Sequence, residues 1–121
     1  MGKNILTRDS ILAVVDLPIK EVEVPEWDGT VCIRGLNAQE RDEFEEFLFV
    51  GDGKDRKLNL KNIRARLLSM TLCDEKGVLL FKPEDVIALG KKSARVLNNL
   101  FTEAQSQSGL GDQDIKDAVK N

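Results

Sequence analysis

Apolar and polar positions along this chain change period several times, and each change marks an element. Behind Thr7, Ile11, Leu12 and Val15 recur at helical spacing, which predicts a short capped helix through Val15 that Pro18 ends. Val22–Glu23–Val24 and Thr30–Arg34 instead alternate with period two, as half-buried strands do. Between them, "PEWDG" holds Pro25 and the dipeptide Asp28-Gly29, whose glycine tolerates positive φ; a β-hairpin with Trp27 near its tip is the expectation. Asn37 and Glu40 have capping-box spacing. Phe44, Phe47 and Leu48 follow on one face, so this helix is expected to run to about Phe49.

The polar, glycine-containing stretch "GDGKDRK" reads as a mobile loop. Leu60, Ile63, Leu67 and Leu68 mark a second amphipathic helix, continued by Thr71 and Leu72. Its end, "SMTLCD", reads equally well as a strand, and periodicity leaves residues 69–73 open between the two. After the turn "DEKG", the apolar run Val78 to Phe81 is a candidate third strand. Pro83, Glu84 and Asp85 start a helix well, because proline fits the first turn and acidic groups oppose the macrodipole. Gly90 interrupts it, and Leu97, Leu100, Phe101 and Ala104 then line a longer helix. Beyond Thr102 large apolar residues thin out, and "EAQSQSGLGDQDIKDAVKN" reads as a loosely attached tail. Within it, Ile115, Ala118 and Val119 are spaced to turn helical against a partner. The expected fold is α+β: a β-hairpin, extended to three strands if Val78 to Phe81 joins it, packed on about four helices. Residues 1–105 form the expected single domain and residues 106–121 the flexible tail.

Composition narrows the function more than the fold. A hydrophobic fraction of 41% in 121 residues supports one core, built from Leu, Ile and Val with five Phe, one Trp and no Tyr. The net charge of −3 weighs against a general nucleic-acid binder. No run of about 18 apolar residues is present to span a membrane. The first residues do not read as a secretion signal, since Asp9 and Asp16 flank the apolar run and no small-residue cleavage site follows. Cys32 and Cys73 lack C-x-x-C spacing, so neither a zinc site nor a disulfide framework is indicated, and reduced thiols are expected. The chain has no His, which removes His triads, His metal sites and the usual acid–base switch, and weighs against an enzyme.

Three motifs invite chemistry. "LGKKSARVLNNLF" looks like the end of a phosphate-binding loop, but the glycine required five positions before Gly90 is Asp85, whose charge repels phosphate. Lys92 also pushes the Ser93 hydroxyl one place late, so Gly90 reads as a helix stop with Lys91 and Lys92 solvated at a helix's negative end. Lys54, Arg56, Lys57, Lys61, Arg64 and Arg66 cluster in the sequence without interleaved aromatics for base stacking, and Asp52 and Asp55 dilute them; a solvated face is the reading. Asp42, Glu45 and Glu46 are spaced to approach a cation, but with Glu40 and Glu43 they read as a solvated acidic face, and no metal or cofactor is expected. Trp27 either folds back on the core or serves as a contact anchor.

The order of these pieces resembles a known family. "EVPEWDGTV" with "IRGLNAQERDEFE", then "RARLLSMTLCDEKGVLLFKPEDVIALGKKSARVLNNLF" and "SGLG", are similar to the tail assembly chaperones of long-tailed, non-contractile bacteriophages and related prophages. The resemblance covers roughly residues 5 to 110. It implies a non-enzymatic factor of the host bacterial cytoplasm that keeps the tape-measure protein soluble and extended and recruits tail-tube subunits, and that is absent from the finished virion. It also implies homo-oligomerisation, and a longer form made by programmed ribosomal slippage, for which Lys120-Asn121 supplies compatible codons. Contact residues are then expected at Trp27 in the hairpin and at Leu110, Ile115 and Val119 in the tail. Two other readings remain at this stage: a structural tail protein kept in the virion, and a small nucleic-acid-associated regulator using the surface from Lys54 to Arg66.

Overall fold

The computed structural model describes residues 2–110. A short helix α1 (Arg8–Ala13) precedes the hairpin of β1 (Ile19–Val24) and β2 (Gly29–Arg34), and α2 (Ala38–Phe47) follows. Two residue pairs, β3 (Phe49–Val50) and β4 (Lys57–Leu58), close a small antiparallel ladder around the polar loop. Then come α3 (Ile63–Ser69), β5 (Leu72–Cys73), a one-turn α4 (Val86–Leu89) and the long α5 (Ala94–Gln107). The main sheet has the order β1-β2-β5, antiparallel throughout. The expected α+β class and the three-stranded sheet are both present.

Several local signals act as the sequence predicts. Thr7 caps α1 and exchanges bonds with Ser10, and Asn37 and Glu40 make a full capping box on α2. Each box satisfies amide groups that a helix start leaves unpaired. The β1–β2 hairpin has the predicted strands, but its turn differs. A 3₁₀ turn over Pro25–Trp27 ends at Asp28, which takes the left-handed conformation (φ 52°), while Gly29 already pairs with Val24. Asp tolerates that region through its short polar side chain, so the turn does not call on the glycine.

The third strand is not Val78 to Phe81. Residues 69–73, left open by periodicity, divide into a helix end at Ser69 and the strand Leu72–Cys73, which pairs with β2. The segment after the "DEKG" turn adds only an isolated bridge from Leu79 to Cys73. The reason is burial: Leu72 is 2% exposed on the helix-facing side, whereas Val78 and Leu80 point outward at 62% and 56%. α2 also stops two residues short of Phe49, because Phe49 turns into the β3 ladder opposite Leu58.

One face of the sheet, with Val24, Ile33 and Leu72, packs on Phe44, Leu67, Leu68, Leu97, Leu100 and Phe101. α3 and α5 pack together beneath it. α5 continues through the compositionally thin stretch to Gln107 and ends at Gly109 (φ 69°). There Leu110 N–H donates to the Gln105 carbonyl at 2.8 Å and Gly109 N–H to Ser106 at 3.2 Å, a Schellman closure. The Leu110 side chain drops into the core at 5% exposure, so the packed chain extends beyond residue 105.

That helix end sits on a glycine. A Cβ on Gly35 would collide with the Gln107 carbonyl oxygen, which no side-chain movement can relieve because that atom is backbone. Leu36 N–H donates to Ser108 Oγ at 3.2 Å, and Gln107 Nε2 donates to the Pro18 carbonyl at 3.0 Å. Gly35→Ala is therefore expected to lower unfolding free energy by about 1–3 kcal/mol, the range for forced overpacking. Urea unfolding followed by Trp27 fluorescence checks this, and an unchanged midpoint would show that the junction yields freely.

Candidate interaction surface

Where the core ends, the chain leaves an uncommon amount of apolar surface uncovered. α1 buries no residue at all. Ile5, Leu6, Ile11, Leu12, Val14 and Val15 are all more than half exposed, with Val15 at 94%. Scattered exposed apolar residues are ordinary, but six within a stretch of eleven form a patch of the kind that other chains cover.

The body of the domain carries two adjoining hollows. Trp27, Phe81, Ala88 and Leu89 line one of about 340 Å³, edged by Asp85 and Lys92. Phe47, Met70, Leu79, Phe81 and Pro83 line the other, of about 300 Å³, with Glu43, Glu46 and Arg66 at its rim. Phe81 lines both. Trp27 is 37% exposed: it is neither withdrawn into the core nor free, but forms a wall of the first hollow. Leu110, by contrast, is held in the core, and Ile115 and Val119 lie outside the described residues.

The basic cluster is arranged differently from its order in the sequence. Arg66 stacks over the Phe47 ring at 3.8 Å and Arg56 over Phe49 at 4.1 Å. Arg64 reaches Phe101 at 5.9 Å and donates to Asn98 Oδ1 at 3.1 Å. Three of the cations thus cover aromatic faces with their planar guanidinium groups. On α2 the acidic face is tied in part by Arg41, whose Nε donates to Glu45 at 3.3 Å. Among the described residues no group of three or more His, Cys, Asp or Glu is placed to hold a metal ion. Gly90, at the end of α4, has ordinary helical φ (−66°), and Ser93 caps α5 through the Val96 amide, so the "GKKS" stretch is a helix-to-helix turn.

One pair that sequence reading missed lies beside the second hollow, which Glu40 helps to line. Arg34 forks onto Glu40, with two N–H···O bonds of 2.9 Å, and also donates to the carbonyls of Gly77 and Gly35 at 3.0 Å. In the sequence Glu40 reads as a capping residue and as part of a solvated acidic face, whereas the fork leaves its side chain largely covered. The cue was its six-residue spacing from a strand-ending Arg, which has no meaning until the chain reverses. Burial by itself would raise the Glu40 carboxyl, but the bonds from Arg34 and from the Asn37 amide outweigh it and hold it below the ordinary value. The same fork raises the Arg34 guanidinium, against burial.

These observations fit what the comparisons show. Residues 17–121 match the family model described as phage tail assembly chaperone, so the chain belongs to that family. The fold is similar to that of the bacteriophage HK97 tail assembly chaperone, with a TM-score of 0.59 at 18% identity, over 82% of this chain and 88% of that one. No curated protein matches the sequence. The family match begins after α1, so the exposed apolar arm lies ahead of it.

The fork has a pH signature. Because Glu40 is depressed in the fold, its stabilisation is complete above the unfolded-chain value of about 4.3 and is lost as pH falls through the lower folded value. Glu40→Gln should therefore flatten the acid limb of the stability curve below about pH 4.5. At pH 7, Glu40→Ala should cost about 3 kcal/mol, because it strands a largely buried guanidinium. Denaturant midpoints from pH 3 to 7 read both effects.

Proposed function

We propose that this chain works by contact alone, binding the tape-measure protein in many copies, keeping it soluble and extended, and helping to bring tail-tube subunits to it. The observation that carries the reading is the uncovered apolar surface: the arm around α1 and the paired hollows that share Phe81. Such a surface can shield the apolar stripes of a long helical partner, with aromatic walls supplying contact area at low entropic cost. Family membership supports the role in tail assembly. Trp27 is the proposed anchor of the groove, and Ile115 and Val119 are proposed contacts of the C-terminal stretch. Self-association, a slippage-extended form that meets the tube protein, action in the host cytoplasm and absence from the finished virion belong to the same proposal.

Co-expression with the tape-measure protein of the same gene cluster tests it. The tape measure is expected to become soluble and to co-purify with several copies of this chain. Leu12→Glu and Trp27→Ala should each weaken capture by about tenfold or more, equivalent to about 1.4 kcal/mol or greater at a contact hot spot. Both variants should keep wild-type circular dichroism. A tape measure that stays insoluble, or capture unchanged in both variants, would overturn the reading.

A further inference from the structure

The β2–β5 ladder sets Cys32 directly opposite Cys73. Arg34 N–H donates to the Thr71 carbonyl at 3.0 Å. Arg34 and Thr71 continue the same register two places on, so Cys32 and Cys73 form a pair of the same hydrogen-bonded kind. Such pairs hold their Cα atoms about 5.5 Å apart, within the roughly 4.4–6.8 Å found across disulfides. Their Cβ atoms are about 5 Å apart, against about 3.8 Å in a disulfide, so closure needs the strands to draw in by about 1 Å. A link made that way is strained and readily reduced.

Opposed residues of an antiparallel pair point to the same side of the sheet. Both cysteines border one open groove of about 530 Å³, with Thr30, Asp74, Lys76 and Leu80. Their access differs: Cys32 is half-buried, whereas Cys73 is 2% exposed. Burial pushes the Cys73 thiol up, and the neighbouring Cys32 adds to the effect. An incoming reagent therefore meets Cys32 first.

We propose that Cys32 and Cys73 are a modification site, a cross-strand dithiol that closes to an intramolecular disulfide on reaction with a small-molecule disulfide such as oxidised glutathione. The Cys32 thiolate attacks one sulfur of the oxidant; that S–S bond breaks, one small thiolate leaves, and a mixed disulfide remains on Cys32. Cys73 then gives its proton to solvent and attacks the Cys32 sulfur, expelling the second small thiolate. The protein loses two protons and two electrons, and the oxidant becomes two thiols. The resulting bond staples the hairpin to the strand that leaves α3.

The test treats the folded full chain with oxidised glutathione at neutral pH and follows intact mass and free thiols. The wild type should lose both thiols, fall in mass by about 2 Da, yield a peptide cross-linked from Cys32 to Cys73, and return on adding dithiothreitol. Cys73→Ser should stop at a glutathione adduct on Cys32. Cys32→Ser should leave Cys73 unreacted under native conditions and reactive only in denaturant. Wild type that halts at the mixed disulfide, links only between chains, or keeps both thiols free while folded would overturn the proposal.

Discussion

The fork between Arg34 and Glu40 is the joint on which the rest of this fold is assembled. Arg34 ends β2, and its backbone receives the β5 entry through Thr71. Its side chain fixes the first turn of α2 through Glu40 and the 74–77 turn through Gly77. The next residue, Gly35, has no Cβ and so lets the end of α5 come into backbone contact. Within the stretch "RGLN", a strand, two helix ends and a turn are brought to one point. A guanidinium suits the task because its planar donors serve a carboxylate and two carbonyls at once. Its charge stays affordable at 9% exposure only because those donors are matched; among the described residues no buried side-chain polar atom lacks a partner.

With the joint closed, the core is built from the sheet's inner face, α3 and α5, together with Phe44 of α2 and Val86 and Leu89 of α4, and no residue of α1 enters it. α1 ends at Ala13 with Val14 extended, so only Ile11 and Leu12 of the predicted apolar face lie on the helix and Val15 falls beyond it; all three are more than half exposed. An isolated helix of six residues is marginal in water, so the Thr7–Ser10 box is its main local support. The division suits the contact role proposed above. The core sets stability, and the arm and the hollows lie outside it. The cations stacked on Phe47 and Phe49 cover aromatic faces at the domain surface.

Much of the framework was legible because it is written in neighbouring residues. The cap at Thr7, the capping box at Asn37, the period-two strands, and the Leu97–Ala104 face of α5 are local patterns with local causes, and the structure contains each. Signals went astray where local rules competed. The glycine of Asp28-Gly29 seemed to demand the left-handed position, but Asp28 takes it. Val78 to Phe81 was apolar enough for a strand, but Leu72 already occupied the buried register beside Ile33. The thinning after Thr102 suggested a tail, although "SGL" carried a helix stop that Gly109 and Leu110 complete in the core.

The sequence by itself determined the class of fold, the family likeness and the lack of His-based chemistry, since composition, periodicity and motif order are properties of the chain alone. Only the tertiary structure decided which distant residues meet. Arg34 finds Glu40, Gly35 receives Gln107, and Cys32 faces Cys73, because strand register and chain reversal set those distances. Whether an apolar face is core or contact surface is decided there too: burial depends on how much covering surface the rest of the fold has left, and no segment carries that quantity in its own residues.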